Sequence, residues 1–149
     1  MRGEDVKLTI EKRDLFTVPK DYALCHCISA DFALGAGIAK RFADMGVKKS
    51  LIEAFGYGDW YGVGYALLTC CTMWHGEWNL VTKDKCYHKP TLQTLKQALE
   101  KMREHCGDCK IAMPKIGCGL DRLKWKDVEK VIRDVFADTD IEILVCDWR

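Results

Sequence analysis

Residues 22–45 have the sequence YALCHCISADFALGAGIAKRFADM, and the order of residue types in this stretch decides the fold class. Its first seven residues are largely apolar and of strand length, which predicts a strand buried on both faces. The glycine-rich residues 35–37 follow, and Ile38 and Phe42 then recur at helical spacing until Gly46. We therefore expect a strand, a glycine loop and a helix in direct succession.

Strands and helices alternate along the rest of the chain. Apolar runs or apolar–polar alternation predict further strands over residues 6–10, 63–72, 78–82, 110–116 and 141–145, the second and third of these fitting a hairpin around residues 75–77. Helical spacing of apolar residues predicts helices over 47–55, from Pro90 to Cys106, and over 125–136. This order predicts an α/β fold, with a mixed, mostly parallel β-sheet flanked on both faces by α-helices.

Length and charge set limits on the function. A chain of 149 residues fits one domain spanning residues 1–149, and its formal net charge of +1 creates no overall field that would attract polyanions. An anionic ligand must therefore be held by a local site, and such sheets bind ligands at the carboxyl ends of their strands. Because the sequence has neither a signal peptide nor an apolar run of membrane length, we expect a soluble, monomeric protein of the cytoplasm or nucleus.

The chain has nine cysteines, an odd number without an export signal. We therefore expect reduced thiols that lie mostly in the core. Cys106 and Cys109 have a spacing that zinc sites use, but no matched second pair accompanies them. The sequence thus favours neither a metal nor a cofactor.

Two glycine loops follow predicted strands, at residues 35–37 and 117–119. Such a loop lets backbone N–H groups approach an anion, and the positive end of a following helix adds to the attraction. Either loop alone could be an ordinary turn, since glycine is a common turn residue. Two loops at one sheet edge could instead enclose a diphosphate from both sides.

Several strings along the chain resemble the macrodomain superfamily, and most closely its terminal ADP-ribose protein glycohydrolase branch. They are RDLF (13–16), HCIS (26–29), GAGIA (35–39), VTK (81–83), HKPT (88–91) and PKIGCGLDRL (114–123). The resemblance covers nearly the whole chain in order, and residues 116–123 carry its most specific part. The region from Gly56 to Asn79 matches poorly.

The resemblance implies a binding site for ADP-ribose. Asp14 would accept a hydrogen bond from the adenine amino group, with Leu15 beside it, and the lesser alternative for Asp14 is a turn residue after the first strand. Ser29 would line the distal ribose, and Trp148 could stack on the adenine. The residues implied around the diphosphate and distal ribose are Gly35, Ala36, Gly37, Ile38, Ile116, Gly117, Cys118, Gly119 and Leu120.

The resemblance also implies a catalytic pair, Lys83 and Asp121. A lysine amine can attack the anomeric carbon of ADP-ribose as an acceptor carboxylate leaves, provided that it has lost its proton. Lys83 ends an apolar run, which predicts partial burial, and Asp121 would move the protons. Lys85 lies close enough in the sequence to be an alternative nucleophile.

The implied function is hydrolytic removal of mono-ADP-ribose from acidic residues of proteins through a lysyl intermediate, with O-acetyl-ADP-ribose deacetylation as a related reaction. The implied partners are ADP-ribose and mono-ADP-ribosylated proteins, with no membrane. Two alternatives stay open: a module that binds ADP-ribose without hydrolysis, and a hydrolase acting on ADP-ribosylated nucleic-acid bases. The near-neutral charge argues against extended contact with a nucleic-acid duplex.

Overall fold

The computed structural model describes residues 5–56, 62–119 and 121–148, and strands and helices alternate within them as predicted. The strands are β1 (Lys7–Glu11), β2 (Tyr22–Ser29), β3 (Ala66–Thr69), β4 (Glu77–Lys83), β5 (Lys110–Pro114) and β6 (Glu142–Cys146). The helices are α1 (Gly37–Asp44), α2 (Val47–Phe55), α3 (Leu92–Cys106) and α4 (Trp125–Phe136), and a short 3₁₀-helix (Leu15–Thr17) follows β1. None of these helices has the length and hydropathy needed to cross a membrane.

The strands form one sheet in the order β1-β6-β5-β2-β4-β3. The pairs β1–β6, β6–β5, β5–β2 and β2–β4 are parallel, and β3 is antiparallel to β4. The prediction of a mixed, mostly parallel sheet is confirmed. Because five strands run in the same direction, their carboxyl ends share one edge of the sheet, where ligands bind in folds of this class.

Helices cover both faces of the sheet, as predicted. Along β2, Ala23 and Cys25 face the core that contains the buried side chains of α3 and α4. Leu24 and Ile28 point the other way, into a second core with α1, α2 and the 3₁₀-helix. The central strand β2 is therefore buried on both faces, which explains its nearly continuous apolar sequence.

The predicted hairpin between β3 and β4 is confirmed, but β3 is shorter than the strand expected over residues 63–72. The backbone N–H groups of Cys71 and Thr72 donate to the buried carboxylate of Glu77, at 3.1 and 3.2 Å. These bonds turn the chain away from the sheet after Thr69. The hairpin lies in the region that matches the family poorly, of which residues 57–61 fall outside the described ranges.

A buried polar contact joins the hairpin to the centre of the sheet. His26 on β2 and Asn79 on β4 form a hydrogen bond between Nε2 and Oδ1 at 2.5 Å, in which the histidine nitrogen must donate. The amide nitrogen of Asn79 in turn donates to the Leu67 carbonyl on β3 at 2.9 Å. Burial lowers the pKa of His26 to about 4, so the ring is neutral at neutral pH.

Candidate active site

A cavity of about 1140 Å³ opens at the carboxyl edge of the sheet, between the loops that follow the parallel strands. Every predicted site residue in the described ranges lines it: Asp14, Leu15, Ser29, Gly35, Ala36, Gly37, Ile38, Lys83, Ile116, Gly117, Cys118, Gly119, Asp121 and Trp148. Leu120, also predicted, falls outside those ranges. Residues spread over most of the chain are thus brought around one cavity large enough for a nucleotide-sized ligand.

Lys83 and Asp121 meet in this cavity although 38 positions separate them in the sequence. The Lys83 ammonium donates to Oδ1 of Asp121 at 2.8 Å, and the two side chains are only 15% and 16% exposed. The predicted partial burial of Lys83 is therefore observed. Lys85, the alternative nucleophile, is not among the residues that line the cavity, so the geometry favours Lys83.

The first glycine loop leads directly into α1. Gly37 is the first residue of the helix, with φ of +59°, a left-handed conformation that favours glycine. The preceding cap residue, Ala36, has no side-chain hydrogen bond to the helix, and Gly37 and Ile38 both line the cavity. Because the first N–H groups of an α-helix lack intrahelical partners, this helix start can offer donors to an anion.

The second glycine loop follows β5 and requires a glycine at its first position. Gly117 has φ of +74°, and a Cβ atom there would lie 2.9 Å from Cδ1 of Leu123. The Leu123 N–H donates to the Gly117 carbonyl at 2.7 Å, which folds the loop back on itself. Arg122, also in the cavity wall, has φ of +63° without being a glycine. The backbone of this loop is therefore held in a conformation that costs free energy, as is common at functional sites.

Asp14 is fixed by a partner that sequence analysis missed. Its carboxylate caps the 3₁₀-helix by accepting from the Phe16 N–H at 3.2 Å, and it also accepts from both terminal nitrogens of Arg41 on α1. The hydrogen bonds from Arg41 are the main cause that lowers the pKa of Asp14. Asp14 is thus a turn residue that also lines the cavity, and its contact with adenine stays a prediction.

Asp31 is a second residue that sequence analysis did not identify. Its Oδ1 accepts from the Ser29 hydroxyl at 2.5 Å and from the Ala33 N–H at 3.2 Å, while Oδ2 accepts from the Cys86 N–H at 3.0 Å. These bonds connect the end of β2, the first glycine loop and the segment after β4. The sequence signal that could have identified Asp31 is its position, as a single carboxylate between a buried strand and a glycine loop.

Several solved structures with similar folds are named as macrodomains. The macrodomain of Thermus aquaticus DarG superposes with a TM-score of 0.77 at 21% sequence identity, covering 94% of this chain and 97% of that one. Thermosipho africanus DarTG in complex with ADP-ribose gives a TM-score of 0.68 at 16% identity, covering 97% of this chain and 44% of that one. At these identities the likeness establishes the fold.

A sequence relative decides the family. The ADP-ribose glycohydrolase OARD1 of Homo sapiens is 41% identical to this chain over 147 residues, which cover 95% of the chain and 92% of that protein. The chain belongs to the macrodomain superfamily, in its ADP-ribose glycohydrolase branch. The resemblance inferred from short strings is thereby confirmed over nearly the full length, although no family model matches the chain.

The cysteines of this macrodomain lie mostly in or against the core. Cys25 and Cys146 are buried core residues, and Cys27, Cys106, Cys109 and Cys118 are partly buried and pack against the core. The expectation of mostly core thiols is confirmed, with three exposed exceptions: Cys86, and Cys70 and Cys71, which follow the short β3 where the chain leaves the sheet. Within the described ranges, no cluster of three or more histidine, cysteine or acidic side chains could hold a metal ion.

Two other predicted site residues, Cys118 and Trp148, differ in how far they are exposed to solvent. Cys118 is half-buried, and burial raises the pKa of its thiol, so it is present as an uncharged thiol. Trp148 is 60% exposed and lies next to Asp147, whose carboxylate pairs with Lys115 at 3.3 Å. An exposed aromatic ring at the cavity rim is available for stacking on a planar ligand group.

Proposed function

We propose that this macrodomain binds ADP-ribose in the cavity and hydrolyses the bond between its anomeric carbon and a glutamate or aspartate side chain of a modified protein. Support for the reaction class comes from the relative named as an ADP-ribose glycohydrolase, and support for the ligand from the DarTG neighbour solved with ADP-ribose. The observation that carries the proposal is the 2.8 Å contact between Lys83 and Asp121 inside the cavity.

In the first step, Lys83 is the nucleophile and Asp121 the proton acceptor. A protonated amine has no lone pair with which to attack, so the proton must first pass from Lys83 to Asp121. The existing hydrogen bond supplies a direct path for that transfer. The Lys83 nitrogen then bonds to the anomeric carbon, the bond from that carbon to the acyl oxygen breaks, and the acceptor departs as a carboxylate with the electron pair.

In the second step, water releases the adduct. After Asp121 has released the proton from the first step to solvent, it takes a proton from a water molecule whose oxygen bonds to the anomeric carbon. The carbon–nitrogen bond to Lys83 breaks with its electron pair on nitrogen, and Asp121 returns the proton to the amine. The products are ADP-ribose and the original enzyme. The two glycine loops would hold the diphosphate and the Asp31-bound Ser29 would contact the distal ribose, so that the anomeric carbon faces Lys83.

A direct test is incubation with a protein carrying glutamate-linked mono-ADP-ribose, with release of ADP-ribose followed over time. The wild type should release it, and Lys83→Arg, which keeps the charge but not the nucleophile, should not. Lys85→Arg is the matched control and should keep wild-type turnover. If the protein binds ADP-ribose tightly but releases none from the substrate, it is a non-hydrolytic binding module and the enzyme proposal is wrong.

Two further properties can be inferred: the class of acceptor and the oligomeric state. We infer a protein acceptor rather than a nucleic-acid base because the net charge of +1 gives no general attraction to a polyanion. We also infer a monomer, since one chain supplies both the glycine loops and the lysine–aspartate pair. Turnover of an ADP-ribosylated oligonucleotide at the rate of the protein substrate, or a dimeric mass by sedimentation, would contradict these inferences.

A further inference from the structure

Arg41 is a cavity-lining residue that the proposed mechanism does not use. It lies in α1, one turn after the glycine loop, and lines the cavity together with Asp14 and Leu15. Its guanidinium lies 4.3 Å from the centre of the Phe16 ring. That ring packs in turn edge-on against Phe42, with 5.1 Å between ring centres. Arg41 is therefore anchored by an aromatic ring as well as by its ion pair, although its side chain is 47% exposed.

The ion pair between Arg41 and Asp14 has a two-pronged geometry. Nη1 of Arg41 donates to Oδ1 of Asp14 at 2.9 Å, and Nη2 donates to Oδ2 at 3.0 Å. Two parallel bonds between planar groups fix the orientation of the carboxylate in a way that one bond does not. Together with the bond from the Phe16 N–H to Oδ1, they fill three of the roughly four acceptor positions of the carboxylate.

A carboxylate held in this way is selective for one kind of partner. An ionised carboxylate only accepts hydrogen bonds, so it favours a base edge with an amino group and repels one with a carbonyl oxygen. A freely rotating carboxylate can turn away from the carbonyl and lessen that repulsion. Fixing its orientation therefore increases the difference in affinity between the two kinds of base.

We propose that Arg41 determines the base specificity of this cavity by locking the Asp14 carboxylate in an orientation that accepts from the amino group of adenine and disfavours a base with a carbonyl there. This inference rests on the proposed function, because it takes ADP-ribose as the ligand and places its base beside Asp14. Arg41 acts through Asp14 and is a positioning residue. It should affect binding rather than the chemical step, which takes place at Lys83.

The test compares ADP-ribose with its inosine analogue, which carries a carbonyl in place of the adenine amino group. For Arg41→Ala, the dissociation constant of ADP-ribose should rise about tenfold, or about 1.4 kcal/mol, because the Asp14 carboxylate is no longer held in the orientation that accepts from the amino group. The dissociation constant of the inosine analogue should change less than about twofold, so the preference for adenine falls. Arg41→Lys, which keeps the charge without the fork, should lose part of the preference.

The matched control is Lys40→Ala, which removes an exposed cation from the same helix that pairs with Asp44. Its affinity ratio should equal that of the wild type. For Arg41→Ala, the KM of the protein substrate should rise while kcat stays within about twofold, because a positioning residue for the base does not contact the reacting atoms.

Two results would overturn the inference. One is an Arg41→Ala variant that keeps the wild-type ratio of the two affinities; the other is equal weakening for both ligands, which would mean that Arg41 contributes only its charge. Failure of the proposed function looks different: a wrong ligand would leave the wild type binding neither compound, and a missing hydrolytic activity would leave both affinities measurable but release no ADP-ribose from the protein substrate.

Discussion

Replacing Asp121 with asparagine should remove the proposed proton acceptor of the candidate active site while keeping the size of the side chain. In the structure, its Oδ1 is 2.8 Å from the Lys83 nitrogen, and both groups are largely shielded from water, so no bulk solvent base lies equally close. General acid–base catalysis typically contributes about 10²- to 10⁴-fold to a rate, or about 2.7 to 5.4 kcal/mol of barrier. We expect kcat of Asp121→Asn to fall within that range.

The affinity of Asp121→Asn for ADP-ribose should not fall with its kcat. Loss of one negative charge from the wall of a cavity proposed to hold a diphosphate removes a repulsion, so the dissociation constant of ADP-ribose should stay the same or fall. Because Asp121 is also proposed to activate water, any Lys83 adduct that does form should persist. Single-turnover kinetics followed by intact-mass analysis of the denatured protein would show ADP-ribose attached to the chain, and peptide mapping would place it on Lys83.

A matched control is Asp134→Asn, which removes an exposed carboxylate that pairs with Lys130 on α4. It should leave kcat and the dissociation constant unchanged. If Asp121→Asn kept kcat within about threefold of the wild type, which is less than 1 kcal/mol of barrier, Asp121 would not be the proton acceptor. An adduct that mapped to another residue would contradict the role of Lys83.

Three further predictions concern the fold that supports the site. Gly117→Ala should destabilise the protein by about 1–3 kcal/mol in urea unfolding, because of the positive φ and the 2.9 Å approach, whereas Gly119→Ala, whose Cβ would meet no atom within 4 Å, should cost far less. The unfolded state binds a proton at His26 below about pH 6.5, but the folded state does so only below about pH 4. The free energy of unfolding should therefore fall by roughly 3 kcal/mol as the pH drops from 6.5 to 4, and His26→Gln should make it less dependent on pH. Asp31→Ala should lower kcat/KM about 10- to 100-fold by freeing the Ser29 hydroxyl, with partial rescue by Asp31→Asn; unchanged kinetics in Asp31→Ala would show that this carboxylate positions nothing.

The elements that sequence analysis predicted well are those whose signal is local. The nearly continuous apolar residues of β2 reflect burial on both faces, and the helical spacing in α3 reflects a single buried side. Edge elements were predicted less precisely. Ile10 follows the alternation of a half-buried strand, yet it is 44% exposed because β1 ends the sheet. The end of β3 depends on the Glu77 carboxylate, a tertiary contact with no local pattern.

The site was predictable where backbone conformation or family resemblance marks a residue. The glycines of both loops and the positions of Lys83 and Asp121 belong to such strings. Arg41 and Asp31 could not be found in this way, because each matters through a partner on another element. An arginine on an amphipathic helix is normally a solvated residue. Arg41 belongs to the cavity wall because it pairs with Asp14, which follows β1 in the chain.

Strand order explains why distant residues form one site. β5 and β4 are the two neighbours of β2, one on each side, although β4 precedes and β5 follows α3 in the chain. The loop after β5 carries Asp121 and the end of β4 carries Lys83, so both converge above the end of β2, where Ser29 and the first glycine loop lie. Exchanging β4 with an outer strand would keep every local pattern in the sequence but separate the lysine from the aspartate. The chemistry therefore depends on the pairing of three parallel strands, and this pairing provides a local binding site for an anionic ligand in a protein whose net charge is near zero.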